Sequence, residues 1–162
     1  MKSFTEFTTL GDLLIKSADK FGSNPVIVFP EQRISYEELK LRAYQRAQAL
    51  VAHDIGPGSH VGILMANCME YIEYLFAAQL VGAMAVPINA RYKAPELAYV
   101  LDNADIDLLV THDAISEYAN FGQLIDDALI EKTPQRLKHL VMLGTKRKGF
   151  ISDEEFLIKG KT

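Results

Sequence analysis

The chain of 162 residues lacks features that define several classes of proteins. It contains one cysteine, Cys68, so it cannot form an internal disulfide, and this count fits a reducing compartment. Its most apolar stretch, 74–88, is interrupted by Gln79 and is shorter than the roughly 20 residues that span a bilayer. The first residues have no apolar segment typical of a signal peptide. We therefore expect a cytoplasmic protein without a membrane span.

Basic residues are not in excess either. The chain contains 17 Lys and Arg residues and 21 Asp and Glu residues, which gives a net charge of −4. Such a chain has no general electrostatic reason to bind nucleic acid or an anionic membrane. The hydrophobic fraction of 49% and the charged fraction of 23% are those of a globular protein, so a disordered tail, a collagen and a disulfide miniprotein are excluded. At this length about 70% of the surface is buried on folding, which allows one domain with a sizeable core.

The first third of the sequence predicts two helices around a small hairpin. Apolar residues at helical spacing predict a helix over 10–21, and two β-rich segments, 25–29 and 32–35, predict an antiparallel hairpin. Ser35 and Glu38 have the spacing of a capping box, in which each side chain accepts a hydrogen bond from the other residue's backbone N–H. A long second helix therefore begins at Ser35.

The rest of the sequence alternates strands with helices. Short links between such elements favour right-handed crossovers, so we predict an α/β fold with a mostly parallel sheet and helices on both faces, beside the small N-terminal β-hairpin. Asn67, with Glu70, is predicted to cap the first helix of this part. The predicted elements are strand 61–65, helix 68–81, strand 83–88, a helix from Pro95, strand 107–111, helix 121–129, strand 139–143 and a short helix over 152–158.

Two glycine-containing segments invite a phosphate-loop interpretation, and both fail. The segment Gly56–Ser59 follows a helix and precedes a strand, whereas a phosphate loop follows a strand and opens a helix. Its Pro-Gly pair predicts a type II turn instead. The segment Gly160–Thr162 resembles the end of a Walker A loop, but Glu155 stands where that motif needs a glycine.

Histidine and cysteine are too dispersed to indicate a metal or a nucleophile. The four histidines, His53, His60, His112 and His139, have no metal-ligand spacing, and we interpret them as edge or surface residues. A position at a helix start can lower the pKa of a thiol such as that of Cys68. No histidine or second cysteine lies near it in sequence, so we interpret it as a packed thiol.

Two polar segments follow predicted strands. The sequence leaves open whether each of them binds a ligand or has a structural role. Arg91 and Tyr92 come after strand 83–88, at the end of a parallel strand where α/β proteins collect ligands. They could equally cap a helix or pair with an acid. The run Lys146–Lys148 follows strand 139–143 and is either a solvated turn or an anion contact. The acidic pairs at 37–38 and 154–155 are interpreted as helix starts.

Four segments occur together in the order of one known family. They are Ser35–Leu39, Gly56–Asn67, Gly82–Asn89 and Glu96–Leu101. With these segments the sequence resembles the N-terminal part of the AMP-forming adenylating enzymes, which include acyl-CoA synthetases, luciferases and the adenylation domains of peptide synthetases. Among these it is most similar to the fatty-acyl and crotonobetaine/carnitine types of acyl-CoA ligase. The resemblance covers about residues 7–144, and Lys93 departs from it at a helix cap that is usually Thr or Ser.

The resemblance implies a parent enzyme that couples a carboxylic acid to AMP and then passes the acyl group to CoA, using ATP and Mg²⁺. The family's phosphate loop, its adenine- and ribose-binding residues and its catalytic lysine lie downstream of this region. No catalytic, cofactor-binding or metal residue is therefore assigned here, and we expect 1–162 to be a single incomplete domain that is inactive alone and binds none of these cofactors. Its expected partners are the rest of the parent enzyme and a second copy of itself, through apolar surface on helix 69–81 and near Pro87.

Two other functions stay open from the sequence. The chain could be a free-standing, non-catalytic interaction module of the same fold. It could also be a doubly wound nucleotide- or flavin-binding domain, although no strand, glycine loop and helix follow one another as that class requires.

Overall fold

The computed structural model describes residues 9–30, 32–113, 115 and 119–161. This part of the chain folds into seven strands and six helices. In chain order they are α1 (Leu10–Phe21), β1 (Pro25–Val28), β2 (Arg33–Ser35), α2 (Tyr36–Ala52), β3 (His60–Leu64), α3 (Met69–Leu80), β4 (Met84–Pro87), α4 (Ala94–Asn103), β5 (Leu108–His112), α5 (Phe121–Glu131), β6 (His139–Leu143), β7 (Ile151–Ser152) and α6 (Asp153–Lys159).

Local side-chain hydrogen bonds fix where most of the helices begin. The capping box predicted for α2 is present, because the N–H of Glu38 donates to Ser35 Oγ at 3.2 Å and the N–H of Ser35 donates to Glu38 Oε2 at 2.7 Å. A second capping box joins Ser152 to Glu155 at the start of α6, where the acidic pair at 154–155 predicts only a helix start. These contacts satisfy backbone donors that a helix leaves free at its first turn.

The start of α3 differs from the prediction. The N-cap residue is Cys68 rather than Asn67, and no side chain accepts a hydrogen bond from the first turn. Residues 66–68 are not helical and continue away from β3 before the helix begins. The prediction of Asn67 as the cap was therefore wrong by one residue, because the geometry of the strand end decides which residue reaches the cap position.

The strands form two sheets. β1 and β2 pair antiparallel, as predicted, and the other five strands form a parallel sheet in the order β4-β3-β5-β6-β7. β3 lies between β4 and β5, with Val61 opposite both Ala85 and Leu108. β7 has two residues and was not predicted, because so short a strand has no periodicity of its own. The expected α/β class and the mostly parallel sheet are confirmed.

Helices cover both faces of the parallel sheet. On one face, α2, α3 and α6 enclose a core that contains Tyr74, Phe156 and the strand residue Ile63. On the other face, α4 and α5 enclose a second core that includes Leu64. Because neighbouring residues of β3 enter opposite cores and both are fully buried, β3 is a central strand covered on both faces, as expected for a parallel sheet.

The apolar helix α3 is not the exposed surface that the sequence led us to expect. Met69 and Tyr74 are buried, and none of the large apolar residues of α3 is among the exposed ones. The edge strand β4 does expose Met84, which is 57% accessible. The expectation of exposed apolar surface is thus wrong for α3 and agrees with the structure at the edge near Pro87. None of the described helices has the length and apolar character needed to cross a bilayer.

Candidate functional site at the carboxyl edge of the sheet

Four polar segments lie at one edge of the parallel sheet. Because β3, β4, β5 and β6 run in the same direction, the residues after their carboxyl ends meet at this edge. The two basic segments after β4 and β6 are nevertheless apart, since β3 and β5 lie between them and strands are spaced by about 4.8 Å. Three such spacings place them roughly 14 Å apart. A single small ligand therefore does not contact both.

The segment after β4 is partly structural. The N–H of Arg91 donates to Asn89 Oδ1 at 3.0 Å, which closes a turn, and the N–H of Lys93 donates to Glu96 Oε2 at 2.8 Å at the start of α4. Tyr92 packs against the core beneath α4 and α5. The Arg91 side chain is exposed, and no ion pair among the described residues includes it. Tyr92 has the structural role, and Arg91 remains available.

The segment after β6 borders a cavity of about 260 Å³. The cavity lies between the ends of β5 and β6 and the first turn of α5, and its polar wall consists of Asp113, Asn120, Gly122, Thr145, Lys146 and Arg147. One guanidinium nitrogen of Arg147 pairs with Asp126, while its Nε is buried without a hydrogen-bond partner. We call this cavity the strand-end pocket. Of the residues 146–148, only the first two line it.

A second cavity of about 300 Å³ lies between the hairpin and the start of α3. Cys68 lines it beside Asn67 and Gln32. Burial raises the pKa of the Cys68 thiol to about 11, so the thiol is protonated at neutral pH. It donates to Met65 Sδ at 3.6 Å. The lowering of the pKa that a helix start can cause does not occur here, because burial outweighs it, and the interpretation as a packed thiol is confirmed.

The segment 56–59 lies at the opposite, amino edge of the sheet and forms the predicted turn. The N–H of Ser59 donates to the carbonyl of Gly56 at 2.9 Å, and Gly58 has a φ of 82°. A positive φ at the third position of a four-residue turn is typical of type II. At the end of the chain, a Cβ added to Gly160 would lie 2.6 Å from the backbone nitrogen of Ala49. Gly160 therefore packs against α2; Thr162 lies outside the described residues.

Three of the histidines also lie at the amino edge, where they have structural contacts. His60 Nδ1 is 2.6 Å from the carbonyl oxygen of Ala104, and His53 Nδ1 is 2.9 Å from that of Ala49. The rings of His53 and His139 are 5.4 Å apart, and burial lowers the pKa of His139. His112, after β5, lies 3.6 Å from Asp113. Within the described residues, no three His, Cys, Asp or Glu side chains are placed to hold a metal ion.

The amino edge holds a buried carboxylate that no sequence pattern predicts. Asp107 is 1% exposed and accepts from the N–H of His60 at 2.9 Å and from Arg136 Nη2 at 2.9 Å. Lys138 Nζ lies 3.4 Å away. Burial alone would raise the pKa of Asp107, but the His60 N–H and the Arg136 guanidinium outweigh it and hold the pKa below its ordinary value. The partners lie on distant parts of the chain, so spacing could not reveal them.

A second missed cluster joins three helices. Arg46 of α2 donates through Nε to Glu73 of α3 at 2.6 Å and through Nη1 to Asp153 of α6 at 2.7 Å. Tyr74 donates its hydroxyl to the same Asp153 oxygen at 2.9 Å. One signal was available in the sequence, because Arg46 interrupts the apolar inward face of α2 at helical spacing. The cluster holds α6 against the helix pair and has a structural role.

The described residues do not fit a complete site for ATP and Mg²⁺. A magnesium–nucleotide site needs oxygen ligands for the metal and several donors directed at the phosphates. The described glycines are placed in helices, strands or turns between elements, and none belongs to a loop that joins a strand to a helix as a phosphate loop does. We therefore derive no adenylation step from these residues.

Comparison with known proteins agrees with this fold. A family model described as AMP-binding enzyme matches residues 14–160, which is nearly the whole chain. The chain belongs to this family of AMP-binding enzymes. The resemblance predicted from the sequence is thus confirmed, and the match continues beyond residue 144 to α6.

Similar proteins include ligases and a peptide synthase. Acyl-CoA ligase sidI of Aspergillus fumigatus is 32% identical over 157 residues, which cover 94% of this chain and 27% of that protein. Tyrocidine synthase 1 of Brevibacillus parabrevis is 27% identical over 114 residues, which cover 70% of this chain and 10% of that protein. The chain described here therefore spans about a quarter of the length of the ligase and a smaller part of the synthase.

The fold also matches a solved structure. The anthranilate CoA ligase AuaEII, in complex with anthranoyl-AMP, superposes with a TM-score of 0.82 at 24% identity. The match covers 94% of this chain and 28% of that one. At this identity the likeness concerns the fold, and it places the parallel sheet and its helices in the architecture of that ligase.

Proposed function

We propose that this chain is the N-terminal part of an ATP-dependent, AMP-forming acyl-CoA ligase, and that it is inactive alone. The parent enzyme joins a carboxylic acid to AMP with release of pyrophosphate and then transfers the acyl group to CoA. It uses ATP, Mg²⁺ and CoA, and it works in the cytoplasm. The observation that carries the proposal is the family match over residues 14–160 together with the small share of each relative that the chain covers.

In this proposal residues 1–162 form a single incomplete domain that supplies a scaffold. The parallel sheet and its two layers of helices give a rigid edge from which the segments after β3, β4, β5 and β6 face the rest of the enzyme. Arg91, exposed at that edge, is placed to contact a ligand or a carboxylate of the remaining chain. The phosphate-binding and proton-transfer groups come from the rest of the parent.

The edge strand β4 gives a second support for a larger assembly. Its outer side has no neighbouring strand in the described part of the chain, and Met84 on it is 57% exposed. Unpaired edges of this kind attract another strand. In the parent, we propose that the remaining chain covers this edge; in the isolated chain, a second copy does so. Sedimentation of the isolated chain tests this point, since a strict monomer at high concentration contradicts it.

The decisive experiment compares the isolated chain with a longer one. The coding sequence is read beyond the codon for Thr162, and the extended protein is expressed beside residues 1–162. Acid-dependent exchange of pyrophosphate into ATP is then measured with a panel of carboxylic acids. We expect exchange from the extended protein and only background from residues 1–162, because removing even one preorganised donor costs on the order of a hundredfold in rate.

A complementation experiment supplies the control. The chain and the downstream segment are produced separately and mixed, and exchange should appear only in the mixture. The matched control is Ile63→Asp, which disrupts the central strand and should prevent complementation. Exchange by residues 1–162 alone would contradict their inactivity, and no exchange by the extended protein with any acid would contradict the ligase proposal. A stop codon directly after Thr162 would instead favour a free-standing module that binds a partner.

A further inference from the structure

An apolar groove lies along the second half of α2, away from the carboxyl edge of the sheet. It has a volume of about 440 Å³ and opens to solvent between the end of α3 and the end of α6. Leu80 and Val81 at the end of α3 and Gly160 after α6 complete its walls. We call it the α2 groove. On α2 its lining residues are Tyr44, Ala47, Gln48, Val51 and Ala52.

This part of α2 exposes several apolar side chains. Val51 is 60% exposed and Tyr44 is 41% exposed, and both line the groove. Leu41, one turn earlier, is 59% exposed. Together with Gln48 these residues recur at intervals of three and four positions, so they form one stripe along the helix. A single exposed apolar residue is ordinary, but a continuous stripe beside a groove is typical of an interaction surface.

The start of α1 lies at this groove. A Cβ added to Gly11, in the first turn of α1, would lie 3.4 Å from Leu80 Cδ2, and Leu80 lines the groove. At its other end, α1 contacts the first half of α2, because Asp19 pairs with Lys40. The two helices therefore run antiparallel, and the chain that precedes α1 is attached beside the second half of α2.

Residues 1–8 precede the described part of the chain, and their sequence fits the groove in apolar character and in length. They include two aromatic residues, Phe4 and Phe7, three positions apart. An extended chain spans up to about 3.5 Å per residue, which allows the two residues to lie up to about 20 Å and 10 Å from the start of α1. The stripe from Tyr44 to Val51 is about 10 Å long, because a helix rises 1.5 Å per residue. Both rings are therefore within reach of it.

The covalent attachment favours this segment over other occupants. A short tethered segment has an effective local concentration of about a millimolar, so it competes well with a second copy of the chain at micromolar concentration. Each Phe ring buries on the order of 150–250 Å² when it packs into an apolar site. Two rings therefore cover much of the apolar stripe without another molecule.

We propose that residues 1–8 dock in the α2 groove, with Phe7 beside Leu80 and Phe4 beside Val51. The occupant is thus a segment of this same chain. Its docking removes the exposed stripe of α2 from water and holds the start of α1 across the ends of α2 and α3. This proposal does not depend on the proposed ligase function, because it uses only contacts within residues 1–162.

The direct test is an NMR measurement on the full chain. Nuclear Overhauser effects should connect the ring protons of Phe4 and Phe7 to the methyl groups of Val51 and Leu80, and dilution should not abolish them. A second sample mixes two differently labelled populations of the chain. No such effect should be seen between the populations, because the contact lies within one chain.

A double-mutant cycle tests the contact through stability. Phe4→Ser combined with Phe7→Ser removes both rings, and Val51→Ser removes apolar surface from the groove. Val51→Ser should lower the urea midpoint in the parent chain and should lower it by less than half as much once both rings are absent. The matched control is Val28→Ser, since Val28 is 58% exposed but lies in the hairpin that precedes α2. Its effect should be the same in both backgrounds.

The proposal is overturned if no Overhauser effect joins either ring to Val51 or Leu80. It is also overturned if Val51→Ser and Val28→Ser are equally independent of the two rings, since the groove would then be uncovered or covered by something else. Effects seen only between the two labelled populations would assign the groove to a dimer and overturn it as well. The Overhauser measurement needs no substitution, so it decides the question even if a variant does not fold. Pyrophosphate exchange plays no part here, and failure of the ligase proposal would be seen separately.

Discussion

Replacing Arg46 by alanine should be among the most damaging single changes in this protein. The Arg46 side chain is 8% exposed and joins Glu73, which is 2% exposed, to Asp153, which is 23% exposed. Removal of one partner from a buried ion pair typically costs about 3–5 kcal/mol, because the other charge stays buried without compensation. Here Arg42 Nη1 remains 3.3 Å from Glu73, and Tyr74 still donates to Asp153. We therefore expect Arg46→Ala to lower the free energy of unfolding by an amount at the lower end of this range, about 3 kcal/mol.

The measurement is urea unfolding followed by circular dichroism. Arg46→Ala should lower the midpoint at an unchanged slope, since the slope follows the surface exposed on unfolding. The matched control is Lys40→Ala, which removes an ion pair to Asp19 at the surface, 2.9 Å long, and should shift the midpoint much less than Arg46→Ala, because an exposed pair contributes little to stability.

A charge-free double variant separates the loss of the ion pair from the cost of leaving Glu73 buried without its partner. Arg46→Met combined with Glu73→Leu replaces the two charges by apolar side chains of similar volume, and such replacements of buried pairs are often neutral or stabilising. The double variant should thus be more stable than Arg46→Ala. If Arg46→Ala costs no more than Lys40→Ala, the cluster does not hold the three helices together and our reasoning is refuted.

Three further outcomes are expected. Ser35→Ala removes the acceptor for the Glu38 N–H and should cost about 1 kcal/mol at an unchanged urea slope; no shift of the midpoint would mean that the capping box contributes nothing. Ile63→Asp places a carboxylate at a position that is 0% exposed and should abolish cooperative thermal unfolding, so a melt like that of the parent chain would contradict the central place of β3. Because the His60 N–H and the Arg136 guanidinium hold the pKa of Asp107 below its ordinary value in the folded state, its carboxylate stabilises the protein at neutral pH, and this contribution is lost as the pH falls from that ordinary value through the folded-state pKa. The difference in unfolding free energy between the parent chain and Asp107→Asn should therefore shrink on acidification, and a constant difference would show that the carboxylate is not stabilised.

Features that depend on neighbours within a few residues were predictable from the sequence. The Ser35 capping box and the type II turn at 56–59 involve residues three positions apart, so their hydrogen bonds can be predicted from the spacing of residues along the chain. The strand β3 was recognisable because residues 61–64 form an unbroken run without polar side chains, which a strand buried on both faces requires. The alternation of strands and helices then restricted the sheet to parallel crossovers.

Features that depend on distant residues were decided only by the tertiary structure. Arg46 and Asp153 are 107 positions apart, and Asp107 and Arg136 are 29 apart, so no local pattern pairs them. The direction of the Cys68 pKa shift depended on how deeply the packing buries the thiol, against the effect of the helix start. The strand-end pocket likewise exists because β5 and β6 are neighbours, which brings the turn after β6 to the start of α5. Local hydrogen bonds follow from the order of residues along the chain, whereas burial and long-range charge pairing follow from which elements the hydrophobic core places side by side.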